Sequence, residues 1–375
     1  MARTAAAGRA ERLAWGEHGG SPERELRRFG IAPRPLLDFS VNTSPLGPPP
    51  RILAAWPGMA GEIERYPSVS GEGIRHFYER RFHLPPERVL GGNGATELLY
   101  LVPRVLRPAR VAVVIPSYAD YRRASHLAGA ETFAVPLAAA DGWAPPPVED
   151  LARVLSQADA LLLGNPNNPT GTLFPAAELL QLAREFPRRW LWIDESFIQL
   201  TDGFPQTSLA FGGELPPNVL VFHSLTKLYA LPGLRLGAVI GSAATIARLR
   251  LAKEPWTVNR IAERAARLLA ECRGYEEQVR ALVSSERRRL APLLGGLRSV
   301  SAAPTQANFF LARWLGGPDL DDLLARLLEA GLCVRDCRNF PGLEDGYFRF
   351  AVRRPEENDR LLAALASAGS MAGLP

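Results

Sequence analysis

Cysteine is scarce in this chain of 375 residues: Cys272, Cys333 and Cys337 are the only three. Their spacing fits neither a metal-ligand motif nor a disulfide framework, which suits a reducing compartment. Also missing is any run of about 18 apolar residues, the minimum for a membrane span. The start, MARTAAAGRAERLAW, lacks the apolar core of a secretory signal. Its Arg/Ala richness faintly resembles an organelle transit peptide, but the reading adopted is a frayed tail on a cytoplasmic protein. No internal repeat, low-complexity segment or long basic block occurs. The net charge is +5 and the isoelectric point about 9.4. The 44 Lys+Arg residues are mostly arginine and are spread along the chain. That pattern reads as solvated helix faces, with no nucleic-acid-binding motif and no nucleic-acid partner expected.

What is present describes an ordinary globular protein, 47% apolar and 22% charged. The length exceeds one compact core, so two subdomains are expected. Residues 1–50 read as an irregular N-terminal arm, because Pro33, Pro35, Pro45 and Pro48 to Pro50 prevent one long helix. Residues 51–255 read as a large domain. Within it VAVVIP (111–116), ALLLGNP (160–166), LWIDES (191–196), VLVFHS (219–224) and GAVIGS (237–242) have the continuous apolar character of buried strands. PAAELLQLAREF (175–186) has the spacing of an amphipathic helix between them. Apolar strands alternating with helices imply an α/β fold with a mostly parallel sheet covered on both faces. After residue 255 the pattern changes. A helical stretch from Val258 to Leu294 leads to strands NFFLARW (308–314), CVRDC (333–337) and YFRFAV (347–352), with helices at 319–331 and near the end. Residues 256–375 therefore read as a linking helix and a smaller α+β domain.

Functional groups in open parallel sheets gather beyond the carboxyl ends of the strands. Four such ends here carry unusual residues. GNGATELLYLV (92–102) leads glycines into a helix whose first turn holds Gly94, Ala95 and Thr96, where exposed backbone N–H groups can hold a phosphate. NPNNPTG (165–171) is a loop on any reading, and its asparagines and prolines can fix a side-chain amide toward a ligand. LWIDES ends in Asp194, which caps a helix or needs a cationic partner, because a buried unpaired carboxylate is costly. SLTKLYALPGLRLG (224–237) puts Lys227 among Leu225, Leu228 and Tyr229, with Arg235 eight residues on. Together, a phosphate-binding helix start, a buried aspartate, a strand-end lysine and a following arginine describe a pocket for pyridoxal 5'-phosphate. Lys227 would supply the amine of a covalent Schiff-base linkage, and Asp194 would keep the pyridine nitrogen protonated. Ser224, Thr226 and Arg235 would hold the phosphate.

These motifs, in this order, resemble the fold type I superfamily of pyridoxal-phosphate-dependent aminotransferases. The sequence is most similar there to cobalamin-pathway threonine-phosphate decarboxylases and next to histidinol-phosphate aminotransferases. HGG (18–20), LLDFSVNTSPLG (36–47), RYP (65–67), PWTVN (255–259) and CVRDCRNFPGLEDGYFRFAVR carry the likeness to both ends of the chain. The resemblance implies that Asn168 bonds the phenolic oxygen of the ring and that Tyr118 stacks on the ring. It also implies that Tyr66 reaches the cofactor phosphate of a neighbouring subunit, which requires a homodimer. Phe197 stands where many aminotransferases carry a tyrosine, as it does in the threonine-phosphate decarboxylases.

For substrate, Arg335 and Arg349 match substrate-binding arginines, and His18 and Asn42 match arm residues near the substrate. From the residues alone, either arginine could instead pair with an acid such as Asp336 or Glu344. Two arginines in one pocket suit a doubly anionic phospho-amino acid. The implied reaction is decarboxylation of L-threonine O-3-phosphate. Serine O-phosphate differs by one methyl, a group that discriminates by only about 10–200-fold. The other readings are transamination, of histidinol phosphate for example, and a non-catalytic cofactor-binding protein.

Overall fold

The computed structural model describes residues 19–317, 319–343 and 346–371. Strands are numbered along the chain: β1 (Leu37–Asp38), β2 (Val89–Asn93), β3 (Arg110–Ile115), β4 (Glu131–Pro136), β5 (Ala160–Gly164), β6 (Trp190–Asp194) and β7 (Val219–Ser224). They continue as β8 (Leu236–Ile240), β9 (Val300–Ala302), β10 (Phe309–Trp314), β11 (Leu332–Cys333), β12 (Arg335–Asp336) and β13 (Tyr347–Ala351).

Seven strands form the large sheet, in the order β2-β8-β7-β6-β5-β3-β4. Within it β8 pairs antiparallel with both of its neighbours, and the other pairings are parallel. The apolar runs are buried on both faces because successive side chains enter two different cores. Ala112, Val114, Leu161, Leu163, Leu191, Ile193, Val219 and Val221 pack on one side. Val111, Val113, Leu162, Trp192, Leu220 and Phe222 pack on the other. Period-two alternation into two apolar layers is what a helix-covered sheet demands. Each valine, leucine, isoleucine or phenylalanine among them, fully buried, contributes about 1.5–3 kcal/mol.

The edge strands β2 and β4 do not stand out as apolar runs in the sequence. Strand β2 is VLGGN, and β4 is largely exposed along its length. Their pairing comes from the neighbouring strands rather than from their own pattern.

The small domain is an antiparallel sheet, β12-β13-β10-β9, whose phenylalanines Phe310, Phe348 and Phe350 pack with Leu323, Leu327, Leu361 and Leu365 of two helices. Two features differ from the sequence expectation. CVRDC is not one strand: β11 pairs with β1, and after Val334 the chain changes sheets so that β12 pairs with β13. The arm is also not wholly irregular. Residues 37–38 form β1, Phe39 N–H donates to the Cys333 carbonyl at 2.7 Å, and Phe39 itself lies in the small-domain core. The helical stretch after 258 is two helices, Arg260–Leu269 and Arg273–Gly295. They part at residues 270–272, with Cys272 at the N-cap of the second. Among the described residues, no helix is long and apolar enough to cross a membrane.

Candidate active site

The site lies along one edge of the large sheet. Strands β2, β3, β5, β6 and β7 all end there, and β8, running the other way, begins there. Register places Asn93 beside Leu236, and Ser224 beside Gly237. Arg235, the residue before β8, is thereby set between the helix start at Gly94 and the end of β7. A parallel strand at this position would have carried it to the opposite edge.

Two cavities adjoin at Lys227. The first, about 150 Å³, is lined by Gly94, Ala95, Thr96, Tyr118, Asn168, Asp194, Phe197, Ser224, Thr226, Lys227 and Arg235. It gathers ten cofactor residues expected from the sequence. The second, about 390 Å³, is lined by Asn42, Arg335 and Arg349 together with Gly19, Gly20, Ser40, Asn339 and Phe340. Tyr118, Asn168, Phe197, Lys227 and Arg235 belong to both. His18 lies outside the described residues, as does Glu344.

Backbone crowding at the first cavity fits an anion cup. Gly94 has φ +79°, and a Cβ there would come within 2.5 Å of the Arg235 guanidinium. A Cβ on Gly237 would meet the Ala95 nitrogen at 2.1 Å. Only glycine lets the guanidinium, the helix start and β8 approach this closely. Ser224 and Thr226 hydroxyls bond each other at 2.8 Å on the adjacent wall. The four-residue helix Leu225–Leu228 begins there, carrying Lys227.

Asp194 sits at the end of β6. Its Oδ1 accepts from the Ser196 N–H at 2.9 Å and the Ser196 hydroxyl at 2.5 Å, and its Oδ2 accepts from the Tyr121 hydroxyl at 2.8 Å. Burial raises its pKa, while Ser196, Tyr121 and the charge of Lys227 oppose that rise. Three donors thus hold a carboxylate ready for a cationic partner such as a protonated ring nitrogen. Sequence reasoning did not single out Tyr121 or Ser196. Their signal was weak, a second tyrosine three residues after Tyr118 and a serine two after the aspartate.

Burial pulls Lys227 down to about 8, with the charges of Arg349 and Arg235 adding to the effect and Asp194 opposing it. A neutral amine is then accessible near physiological pH, as a nucleophilic lysine requires. Its Nζ lies 5.7 Å from the centre of the Phe197 ring, which packs edge-on against Phe309. The Tyr118 hydroxyl donates to Asp120 and accepts from Thr96, which fixes the ring at the mouth of the cup.

Arg335 and Arg349 are direct cross-strand partners in the β12–β13 register, 7% and 6% exposed. Like charges directly opposite each other are unfavourable. Burial, with the charge of Arg335 adding to it, lowers Arg349 to about 10. Asp336 does not neutralise the pair with its carboxylate, which is bonded to Arg338 and Arg28. Arg335 donates to the Asp336 carbonyl and, at 2.8 Å, to Asn339 Oδ1. Arg349 donates to the Ser40 carbonyl at 2.9 Å and to Asn168 Oδ1. With its amide turned to match, Asn42 Oδ1 accepts from Arg349 Nη1 and Nε, both at 3.2 Å. Because Asn168 gives its oxygen to Arg349, only its N–H groups remain for the first cavity. That is the donor a phenolic oxygen needs.

Tyr66 lines neither cavity. It is 81% exposed, and its ring packs at 5.3 Å on Trp256, itself half-exposed. Among the described residues, no group of three or more His, Cys, Asp or Glu side chains could hold a metal ion.

The aminotransferase class I and II family profile matches residues 34–365. Threonine-phosphate decarboxylase of Salmonella typhimurium is 36% identical over 359 residues, spanning 93% of this chain and 95% of that protein. Histidinol-phosphate aminotransferase of Symbiobacterium thermophilum is 34% identical over 356 residues, 93% and 94% of the two chains. The crystal structure of histidinol-phosphate aminotransferase from Clostridium acetobutylicum superimposes with a TM-score of 0.81 at 29% identity, covering 90% of this chain and 100% of that one. The chain belongs to the class I and II aminotransferase family of fold type I enzymes, and its cofactor is pyridoxal 5'-phosphate.

Proposed function

We propose that this enzyme decarboxylates L-threonine O-3-phosphate to (R)-1-amino-2-propanol O-2-phosphate, a linker precursor in cobalamin biosynthesis. The observation that carries the reading is the pair Arg335 and Arg349, set opposite each other on one cavity wall with Lys227. Two buried cations so placed call for a ligand with two anionic groups, and a phospho-amino acid has a carboxylate and a phosphate. Phe197 also fits this branch, since it withholds the tyrosine hydroxyl that many aminotransferases offer. Likeness to threonine-phosphate decarboxylase along most of the chain is consistent with it.

Bound, the cofactor supplies an electron sink conjugated to the substrate α-carbon. The protein's own groups do the rest. Lys227 would hold the cofactor covalently through its Nζ. Arg349 and Arg335 would fix the substrate's carboxylate and phosphate, and their placement would select which α-carbon bond breaks. When the bond to the carboxylate breaks and carbon dioxide leaves, Lys227 Nζ is the acid placed to return a proton to that carbon. Asp194 would keep the ring nitrogen protonated, and Phe197 and Tyr118, which line both cavities, would help exclude water. An error of about an ångström in carboxylate placement would expose the α-proton instead, giving transamination.

A second copy of the chain completes the site in this reading. Exposed Ile63, Tyr66, Val69 and Trp256 form an apolar face suited to such a dimer. Tyr66 is assigned to the partner's cofactor phosphate. The three cysteines are buried and free, in keeping with a reducing cytoplasm.

Purified holoenzyme given L-threonine O-3-phosphate should release one carbon dioxide per substrate consumed, without a keto acid. Turnover that requires 2-oxoglutarate and releases no gas would reverse the assignment in favour of aminotransfer. Serine O-phosphate, tested alongside, measures how far one methyl group is discriminated.

A further inference from the structure

The chain has two lysines against 42 arginines, since 44 Lys+Arg residues include only Lys227 and Lys253. The second is as unusual in its place as the first. Lys253 follows the helix Ala243–Ala252, and its side chain is 3% exposed. Its ammonium lies 3.1 Å from Glu97 Oε1 and donates to the Thr257 hydroxyl. The Thr257 hydroxyl in turn donates to Glu97 Oε2 at 3.1 Å, and the Asn93 N–H donates to the same oxygen at 2.5 Å. Glu97 therefore ties down the start of the helix Gly94–Leu106, whose first residues line the cofactor cavity.

That arrangement has a cost. A carboxylate in the first turn of an isolated helix is favourable, because it complements the positive end of the dipole. Here the same turn must receive a phosphate of about two negative charges, and Glu97 repels it. A nearby cation removes the conflict. An ammonium fits where a guanidinium does not, because it is a compact charge that reaches a carboxylate and a hydroxyl at different angles from one atom.

We propose that Lys253 is a positioning residue for cofactor binding: by neutralising Glu97 it keeps the Gly94–Thr96 turn able to accept the cofactor's phosphate. The inference rests on the phosphate lying at that turn. Lys253 lines neither cavity. Its effect is specific to the phosphate ester and absent for the free alcohol form of the cofactor.

The test is equilibrium binding to the apoprotein, followed by absorbance, of pyridoxal 5'-phosphate and of pyridoxal, which carries the same aldehyde without the phosphate. In Lys253→Met, affinity for the phosphate ester should fall on the order of tenfold, the scale of one charge interaction near a helix end, with pyridoxal little changed. Glu97→Gln should tighten the phosphate ester by a similar factor, and the double variant should return within about threefold of wild type. An equal loss for both ligands in Lys253→Met would make the lysine a mere scaffold and overturn the proposal, as would an unchanged phosphate affinity. Should Lys253→Met not fold, Glu97→Gln alone decides, and no gain for the phosphate ester overturns the idea. If wild-type protein binds pyridoxal as tightly as its phosphate, the placement of the cup itself is wrong, a different failure that the same titration exposes.

Discussion

The two cavities that meet at Lys227 are built in different ways. The cofactor cavity belongs to one domain. Most of its polar groups sit near the end of a strand or the start of a helix around a single sheet, and several have hydrogen-bond partners within the protein. Asp194 has three donors, Tyr118 has Asp120 and Thr96, and Gly94 and Gly237 admit the Arg235 guanidinium. The substrate cavity is assembled from three parts of the chain: the arm through Ser40 and Asn42, the large domain through Asn168, and the small domain through Arg335 and Arg349. At its centre two like charges face each other across a strand pair. The first cavity is satisfied by its own protein. In the second, a dianionic ligand of the proposed kind would offset the repulsion between the two arginines.

Substitutions on the two sides should fail differently. The largest effect falls on the cofactor side. Asp194→Asn removes the carboxylate proposed to partner the ring nitrogen and should lower kcat by about a thousandfold, the usual upper range for one preorganised electrostatic partner. Absorbance of the resting enzyme should change with it. Arg349→Lys comes next. It keeps the charge and loses the fork that reaches Asn168, Ser40 and the ligand, and should lower kcat/KM by roughly a hundredfold, mostly through KM. Resting absorbance should stay close to wild type. If both variants alter the absorbance equally, the separation of the two cavities is wrong.

The smallest effect is one of pH. Because burial brings Lys227 to about 8, cofactor capture by the apoprotein should quicken as pH rises toward 8 and level off above it. Between about 8 and 10.5 the unfolded lysine keeps a proton that the folded apoprotein has released. Stability of the apoprotein should therefore rise with pH across that window. Stopped-flow absorbance and thermal melts at a series of pH values measure the two parts. A capture rate still rising steeply at pH 10 would mean that Lys227 is not depressed.

The contrast also explains what the sequence makes legible. Parallel strands buried on both faces appear as apolar runs, so a polar residue at the end of one is conspicuous. Asp194, Ser224 and Lys227 are visible for that reason. Arg335 and Arg349 are visible as residues, but their opposition is not. It depends on the chain leaving β11 at Val334 to join β13, a change of partner that CVRDC does not encode locally. Tyr121 and Ser196 are bonded to Asp194, and a tyrosine beginning a helix looks like any core aromatic. Lys253 likewise reads as one charge at a helix end until Glu97 is found beside it. Strands β2 and β4 lie at sheet edges, where glycine content and exposure erase the pattern that marks the interior strands.

With only two lysines in the chain, the central claim can be examined at one atom. Reduction of the holoenzyme with borohydride, followed by proteolysis and mass spectrometry, should find the pyridoxyl group on Lys227 at close to one per chain and none on Lys253. A pyridoxyl group on Lys253 or the amino terminus, or a colourless protein with no adduct, would contradict the account.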